Sequence, residues 1–246
     1  MPCYDSFARF YDGLMEDAEY GRRCEYILEL AKRLHHKMGR TLDLACGTGS
    51  LTRELKKQGV DVFGVDASVD MLTEAMQKSV EEELNIFYVN QEMQALDLGE
   101  QIDTCVCTLD SLNHIVEAEV LLQAFCKVSQ ALRRRGLFVF DVNTVYKHRE
   151  VLGDNAFVIE NDEVFCAWQN ELCENDIVNI YLDFFENDGE AYYRYQENFC
   201  ERAYSDEQLR ALLKEANFEV VGVYDDLTFE SPKSTSQRVI YAVRKI

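Results

Sequence analysis

From Arg40 onward, short apolar runs alternate with segments of helical period, the pattern of parallel strands joined by crossover helices. Thr41–Ala45 reads as a compact strand, Leu51–Gln58 as a helix, and Val60–Val65 as a second strand ending at Asp66. Ser68 is placed to cap a helix running to about Lys78, with Glu81–Glu83 divided between helix and turn. Asn85–Val89 reads as a third strand, Thr104–Thr108 as a fourth, Glu117–Leu132 as an amphipathic helix, and Leu137–Val142 as a fifth strand entered through Gly136. The run Arg133-Arg134-Arg135 falls where a helix C-terminus favours positive charge, and is read that way rather than as a binding patch.

After Asn143 the texture changes. Residues 155–203 are rich in Phe, Tyr, Val and Ile at period two, with turn signals at Glu174-Asn175-Asp176 and Asn187-Asp188-Gly189, which predicts an antiparallel β-meander. Ser205 and Gln208 have capping-box spacing and open a helix to about Ala216, followed by strands near Phe218–Tyr224 and Arg238–Val243. No Pro-, Gly- or Ser-rich linker flanks the meander, so it reads as an insertion between two parts of one seven-stranded, mostly parallel sheet. The expected organisation is one α/β domain over 1–246, with an N-terminal helical cap at 1–39, a core at 40–143 and 204–246, and a meander lid at 144–203.

A chain of 246 residues buries enough surface to fold without a disulfide or metal staple. With 45 acidic against 25 basic side chains its net charge is −20, which argues against a nucleic acid or an anionic membrane as partner. No apolar run approaches the roughly 18 residues of a spanning helix, and Met1–Glu16 has no apolar signal core, so a soluble, cytoplasmic protein is expected. The cysteines (Cys3, Cys24, Cys46, Cys105, Cys107, Cys126, Cys166, Cys173, Cys200) form an odd set without C-x-x-C, expected as mostly reduced, buried small hydrophobes. His35 and His36 lack partners at ligand spacing and His148 is isolated in the sequence, so no metal site is expected.

The densest chemical signal is Asp43-Leu44-Ala45-Cys46-Gly47-Thr48-Gly49, a strand entering a glycine turn that opens a helix. Thr52 occupies the third glycine position of a dinucleotide fingerprint, and no G-K-[ST] is present, so neither phosphate motif is satisfied. An acidic residue ahead of the glycines would repel a pyrophosphate and welcome an ammonium group. Asp66, at the end of the second strand, is placed to accept both hydroxyls of a ribose. Glu92-Met93 follows the third strand and Leu109-Asp110-Ser111-Leu112-Asn113-His114 the fourth, all facing one crevice at the carboxyl ends of the strands.

These segments in order resemble the class I S-adenosylmethionine (SAM) dependent methyltransferases. Asp43–Gly49 is similar to their glycine-rich first motif, Val65-Asp66-Ala67-Ser68 through Met71 to the second, and Gln91-Glu92-Met93 to the adenine-contacting segment. The resemblance covers roughly residues 1–143 and 205–244 and implies a Rossmann-like fold. It also implies SAM contacts at Asp43 and the backbone of Ala45, Cys46, Gly47, Thr48 and Gly49, at Asp66 for the ribose, at Ala67, Met71, Glu92 and Met93 for adenine, and at Leu109, Asp110 and Asn113 beside the sulfonium. The family often carries Asp where Glu92 stands. Tyr4-x-x-Phe7-Ala8-x-x-Tyr11-Asp12 resembles a segment of a bacterial small-molecule branch that folds over the cofactor, where Tyr11 would meet the methionyl carboxylate; that branch also tends to carry an antiparallel insertion.

The implied reaction is in-line displacement of the methyl by N, O or S of a small-molecule acceptor, with S-adenosylhomocysteine as product. His114 is the first candidate base and Tyr11 the second, although His114 could equally cap the helix near Glu117. Asp110 and Asn113 are divided between lining the sulfonium side and local Asx-type hydrogen bonds. Trp168, Phe184, Phe185, Tyr192, Tyr193 and Tyr195 are candidates for an acceptor cavity, with strand alternation admitting about half of them. The alternatives are a SAM-binding sensor or partner subunit without transferase activity, and a methyltransferase acting on a basic protein.

Overall fold

The computed structural model describes residues 18–160, 164–187 and 189–246, without the Asn187 side chain; the N-terminal segment containing Tyr4, Phe7, Ala8, Tyr11 and Asp12 lies outside them. In chain order the elements are α1 (Tyr20–Arg33), β1 (Arg40–Leu44), α2 (Ser50–Lys57), β2 (Asp61–Asp66), α3 (Val69–Glu81), β3 (Tyr88–Asn90), β4 (Ile102–Cys107), α4 (Ala118–Ala131), β5 (Leu132–Asn143), β6 (Ala156–Glu160), β7 (Val164–Leu172), β8 (Ile177–Asn187), β9 (Tyr192–Arg202), α5 (Asp206–Glu215), β10 (Phe218–Asp225) and β11 (Arg238–Lys245). Seven strands form one sheet in the order β10-β11-β5-β4-β1-β2-β3, with β11 antiparallel to both neighbours and the other pairings parallel.

Strand alternation builds two buried faces. Leu42, Phe63, Cys105, Phe138, Phe140 and Tyr241 pack on one side with α4 and α5, while Val62, Val106, Val139 and Ile240 pack on the other with α1 and α2. This period-two division of near-continuously apolar strands is what a parallel sheet covered on both faces requires. No helix among the described residues is long and apolar enough to cross a membrane.

The meander forms a separate antiparallel sheet in the order β6-β7-β8-β9, as its alternating pattern predicts. Its inward residues (Val164 and Cys166 on β7; Val178, Ile180, Leu182 and Phe184 on β8) pack over Leu152 and over Met71 of α3. The insertion therefore lies against the core beside the end of β2. The Ser205–Gln208 capping box is present, with the Ser205 side chain accepting from the Gln208 N–H and the Gln208 side chain from the Ser205 N–H. Ser68 caps α3 by accepting from the Met71 N–H at 3.2 Å.

Several boundaries differ from expectation. β3 is confined to Tyr88–Asn90, and α3 continues to Glu81 with Glu82 as its C-cap. The arginine run does not end α4: that helix stops at Ala131 with no basic residue in its last turn, and Arg133–Arg135 open β5. Arg133 pairs with Asp103 at 2.8 Å, and Arg135 adopts a positive φ of 64° where the β4–β5 register shifts. Ionic contact with β4 thus replaces the helix-terminal role. A single π-type turn, Lys147–Leu152, which the pattern did not announce, joins β5 to the meander.

Candidate active site

The strand β1 delivers Asp43 to the sheet's carboxyl edge, and the chain then turns through Ala45 (φ 56°), Gly47 (φ 54°) and Gly49 (φ 75°) into α2. Among the described residues, a Cβ at Gly47 would meet nothing within 4 Å, so their packing leaves this backbone open to the crevice. Gly49 is glycine for the opposite reason: a Cβ there would lie 2.5 Å from the Tyr88 hydroxyl and 3.0 Å from the Ala75 Cβ. Gly64, paired with Asp43 in register, is likewise closed by Tyr88 and Cys46. Arg53 braces the turn from behind, donating to the Thr48 carbonyl at 2.7 Å and to Glu82 at 3.1 Å. Gly49→Ala is expected to destabilise the fold by roughly 1–3 kcal/mol through overpacking added to a left-handed φ; an unchanged thermal midpoint would contradict this.

Asp43 is 2% exposed and accepts from the Thr52 hydroxyl at 2.6 Å. Burial pushes its carboxyl up to about 7; the Thr52 hydrogen bond opposes the rise and the Asp66 charge adds to it. Thr52, out of place as a fingerprint position, thus serves as the partner of Asp43. Asp66 accepts from the Gly47 N–H and the Ser68 N–H, each at 2.8 Å, tying the glycine turn to the start of α3. Burial raises the Asp66 carboxyl as well, with these backbone donors holding it back.

Around Asp66, the Asn90 amide donates to the carbonyls of Asp66 and Ala67, and Ala67 itself is exposed at the rim. Gln91 closes the next loop on Asp97 through two hydrogen bonds. That loop carries Met93 against the core, while Glu92 stays exposed and accepts from Gln94 at 2.7 Å. Met71 is 3% exposed beneath the meander.

At the end of β4, Leu109 (φ 57°) and Asp110 (φ 54°) are consecutive non-glycine residues in the left-handed region, a costly arrangement that the surroundings must enforce. Asp141, 1% exposed on β5, does so by accepting both N–H groups, at 2.9 and 2.8 Å. Asp141 also binds Arg238 at 2.6 Å and the buried Arg23 at 3.1 Å. Arg238 reaches Asp110 at 3.1 Å. Burial opposes ionisation of Asp110, but the charges of Arg238, Lys147 and His114 outweigh it and hold its carboxyl well below the usual range.

Asn113 is not brought into the crevice. Fully buried, its amide accepts from the Asn143 N–H at 2.9 Å and donates to the carbonyls of Asn143 and Arg202 at 3.2 and 2.9 Å. It is a clamp between the two ends of the meander, and its side chain is spent on that role. Tyr204 and Arg202 reinforce the clamp by donating to the carbonyls of Ile115 and Val116.

His114 does face the shared region. Its side chain is 32% exposed, and its ring lies 5.0 Å from that of Phe199 on β9. The N-cap position of α4 is Glu117, whose side chain makes no capping hydrogen bond. Of the aromatic acceptor candidates, Trp168, Phe184 and Tyr195 lie on the inner face; Phe185 packs against Phe165 instead, and Tyr192 and Tyr193 are exposed. Sequence reasoning missed Arg53, Asp141, Arg238, Glu201 and His148. The signal available for Glu201 was its inward parity on β9 with Tyr195, Glu197 and Phe199.

Comparison with known proteins bears on this arrangement. A family model described as a methyltransferase domain matches residues 41–136. The Bacillus subtilis chain YqeM, provisionally named a methyltransferase, is 32% identical over 98% of this chain and 97% of its own length. The crystal structure of a SAM-dependent methyltransferase from Clostridium acetobutylicum superposes with a TM-score of 0.90 at 34% identity, covering 99% of both chains. The sugar N-methyltransferase KedS8 from a Streptoalloteichus species shares the fold at a TM-score of 0.78 and 19% identity, over 99% of this chain and 93% of that one. With an acidic residue leading an open glycine turn, a second at the next strand end, and full-length relatives of this kind, the chain belongs to the class I SAM-dependent methyltransferases.

Proposed function

We propose that the protein transfers the methyl group of SAM to a nucleophilic N, O or S atom of a small molecule held between the core and the meander. The observation that carries this reading is the placement of Asp43 and Asp66 on adjacent strand ends, flanking the open backbone at Gly47, with the meander's inner face packed beside them. When bound, SAM supplies an electrophilic methyl on a sulfonium centre.

The chain's own residues do the rest. Asp43, with the backbone from Ala45 through Cys46, Gly47 and Thr48 to Gly49, takes the amino acid end; its carboxyl, held near 7 by burial, is poised to ionise against an ammonium. Asp66, already oriented by backbone N–H groups of Gly47 and Ser68, accepts the ribose hydroxyls on its remaining lone pairs. Ala67, Met71, Glu92 and Met93 border the base, and Leu109 and Asp110 the sulfonium side. His114 takes a proton from acceptors that arrive protonated, with Tyr11 as the second candidate. Charge is dispersed rather than created in this transition state, so positioning and water exclusion by the meander are the main contributions.

Asp66→Ala is expected to weaken SAM binding by roughly 1.5–3 kcal/mol, the worth of hydrogen bonds to a charged group. Unchanged affinity would remove Asp66 from the site. The proposal as a whole is tested by incubating the protein with methyl-labelled SAM and matched amine, phenol, thiol and carboxylate panels, with a basic protein mixture in parallel. The sugar N-methyltransferase neighbour gives amines first place. Transfer to a small molecule supports the reading; stable SAM binding with transfer to none, or to the protein mixture alone, contradicts it.

A further inference from the structure

The inner face of β9 brings a carboxylate between two imidazoles. Glu201, 5% exposed, has Oε1 3.8 Å from Nε2 of His114 and Oε2 3.6 Å from Nε2 of His148. The Asn143 amide donates to the same Oε2 at 3.2 Å and also to Asp110, and Lys147 donates to the Asn143 amide oxygen at 2.9 Å. His148, fully buried, has Nδ1 2.8 Å from the Asp176 carbonyl. A carbonyl only accepts, so Nδ1 carries a hydrogen. Among the described residues, Nε2 of His148 has no hydrogen-bond partner. That nitrogen faces Oε2 of Glu201 across 3.6 Å, so the buried ring packs the carboxylate from the side opposite His114.

We infer that Glu201 is a positioning residue for the methyl transfer proposed above, acting through His114 and anchored by His148 and Asn143. With Oε2 committed to His148 and Asn143, Oε1 is left to receive the Nε2–H of His114. This leaves Nδ1 of His114 as the basic nitrogen. The contact at 3.8 Å is longer than a hydrogen bond, as contacts of catalytic bases often are before substrate binds. As the acceptor atom forms its bond to the methyl carbon, the electron pair of the broken carbon–sulfur bond stays on sulfur. The acceptor's proton passes to Nδ1 of His114, and the imidazolium so formed faces Glu201. The acceptor class that needs this device carries a removable proton on its nucleophile, as an ammonium, phenol or thiol does and a carboxylate does not.

The inference rests on the proposed function, and its test separates the two. Long-range proton–nitrogen spectra of histidine-labelled protein with S-adenosylhomocysteine, at a pH where the His114 ring is neutral, are expected to show the Nε2–H tautomer for His114. Glu201→Gln, which keeps volume and removes charge, is expected to give a mixture of tautomers. On an acceptor from the protonated classes the variant is expected to lose roughly 10- to 100-fold in kcat, with the KM for SAM within about twofold and little effect on a carboxylate acceptor. A wild-type His114 in the Nδ1–H form overturns the inference whether or not the variant folds, as does an identical tautomer in both proteins. Absence of S-adenosylhomocysteine binding would instead overturn the proposed function itself.

Discussion

Replacing Asp141 with Ala is expected to cost about 3–5 kcal/mol of stability, the penalty for breaking a buried ion pair from one side. Among the described residues, Arg23 would keep a buried guanidinium whose other ionic contact is Asp226 at 3.3 Å, and Arg238 would retain only Asp110. The Leu109 and Asp110 N–H groups would lose their shared acceptor, and with it the restraint on two left-handed residues. Domains of this kind have about 5–15 kcal/mol to lose, so the variant should unfold at a far lower urea concentration, with the loop before His114 released first. Asp141→Asn keeps shape and one acceptor and should fall between. A change below about 1 kcal/mol for the alanine variant would contradict the hub role of Asp141.

Asp43→Asn is expected to separate stability from function. A carboxyl raised to about 7 in the folded protein, against an ordinary value of 3.8, binds its proton more tightly folded than unfolded. Its stabilising contribution is therefore complete below about pH 4 and is lost as pH rises toward 7, after which it is level. Asp66, raised in the same direction, adds to this slope. Asp43→Asn removes the Asp43 part, so the variant should be more stable than the parent at pH 8 and lose less between pH 5 and 7. SAM affinity should move the opposite way, because an ammonium needs the carboxylate. In the parent it should rise with pH up to about 7, by at most tenfold per unit, then level off; in the variant it should be flatter and weaker by roughly 3 kcal/mol. Thermal melts and titrations across pH measure both, and a variant with parental SAM affinity at pH 8 would exclude Asp43 from the ammonium contact.

Local signals carried much of this architecture. The capping residues Ser68 and Ser205, the glycine turn and the period-two meander each rest on interactions within a few residues, and each stands where the pattern puts it. What was illegible depends on partners far along the chain. Asp141 reads as one more strand residue until Arg23 and Arg238, 118 and 97 positions away, converge on it. Asn113 reads equally well as a ligand or a cap; its commitment to Asn143 and Arg202 appears only once the meander has folded back. His148, isolated in sequence, meets Glu201 by the same closure. The arginine run misled because a helix end and a strand start are adjacent there, and the pairing of Arg133 with Asp103 decides between them.

The central claim is that the crevice between Asp43 and Asp66 is built for a nucleoside bearing an ammonium rather than for a pyrophosphate. Parallel calorimetric titrations of the protein with SAM, S-adenosylhomocysteine and NAD test it most directly. The account predicts micromolar binding of the first two and none of the third. Binding of NAD, or of none of the three, would contradict it.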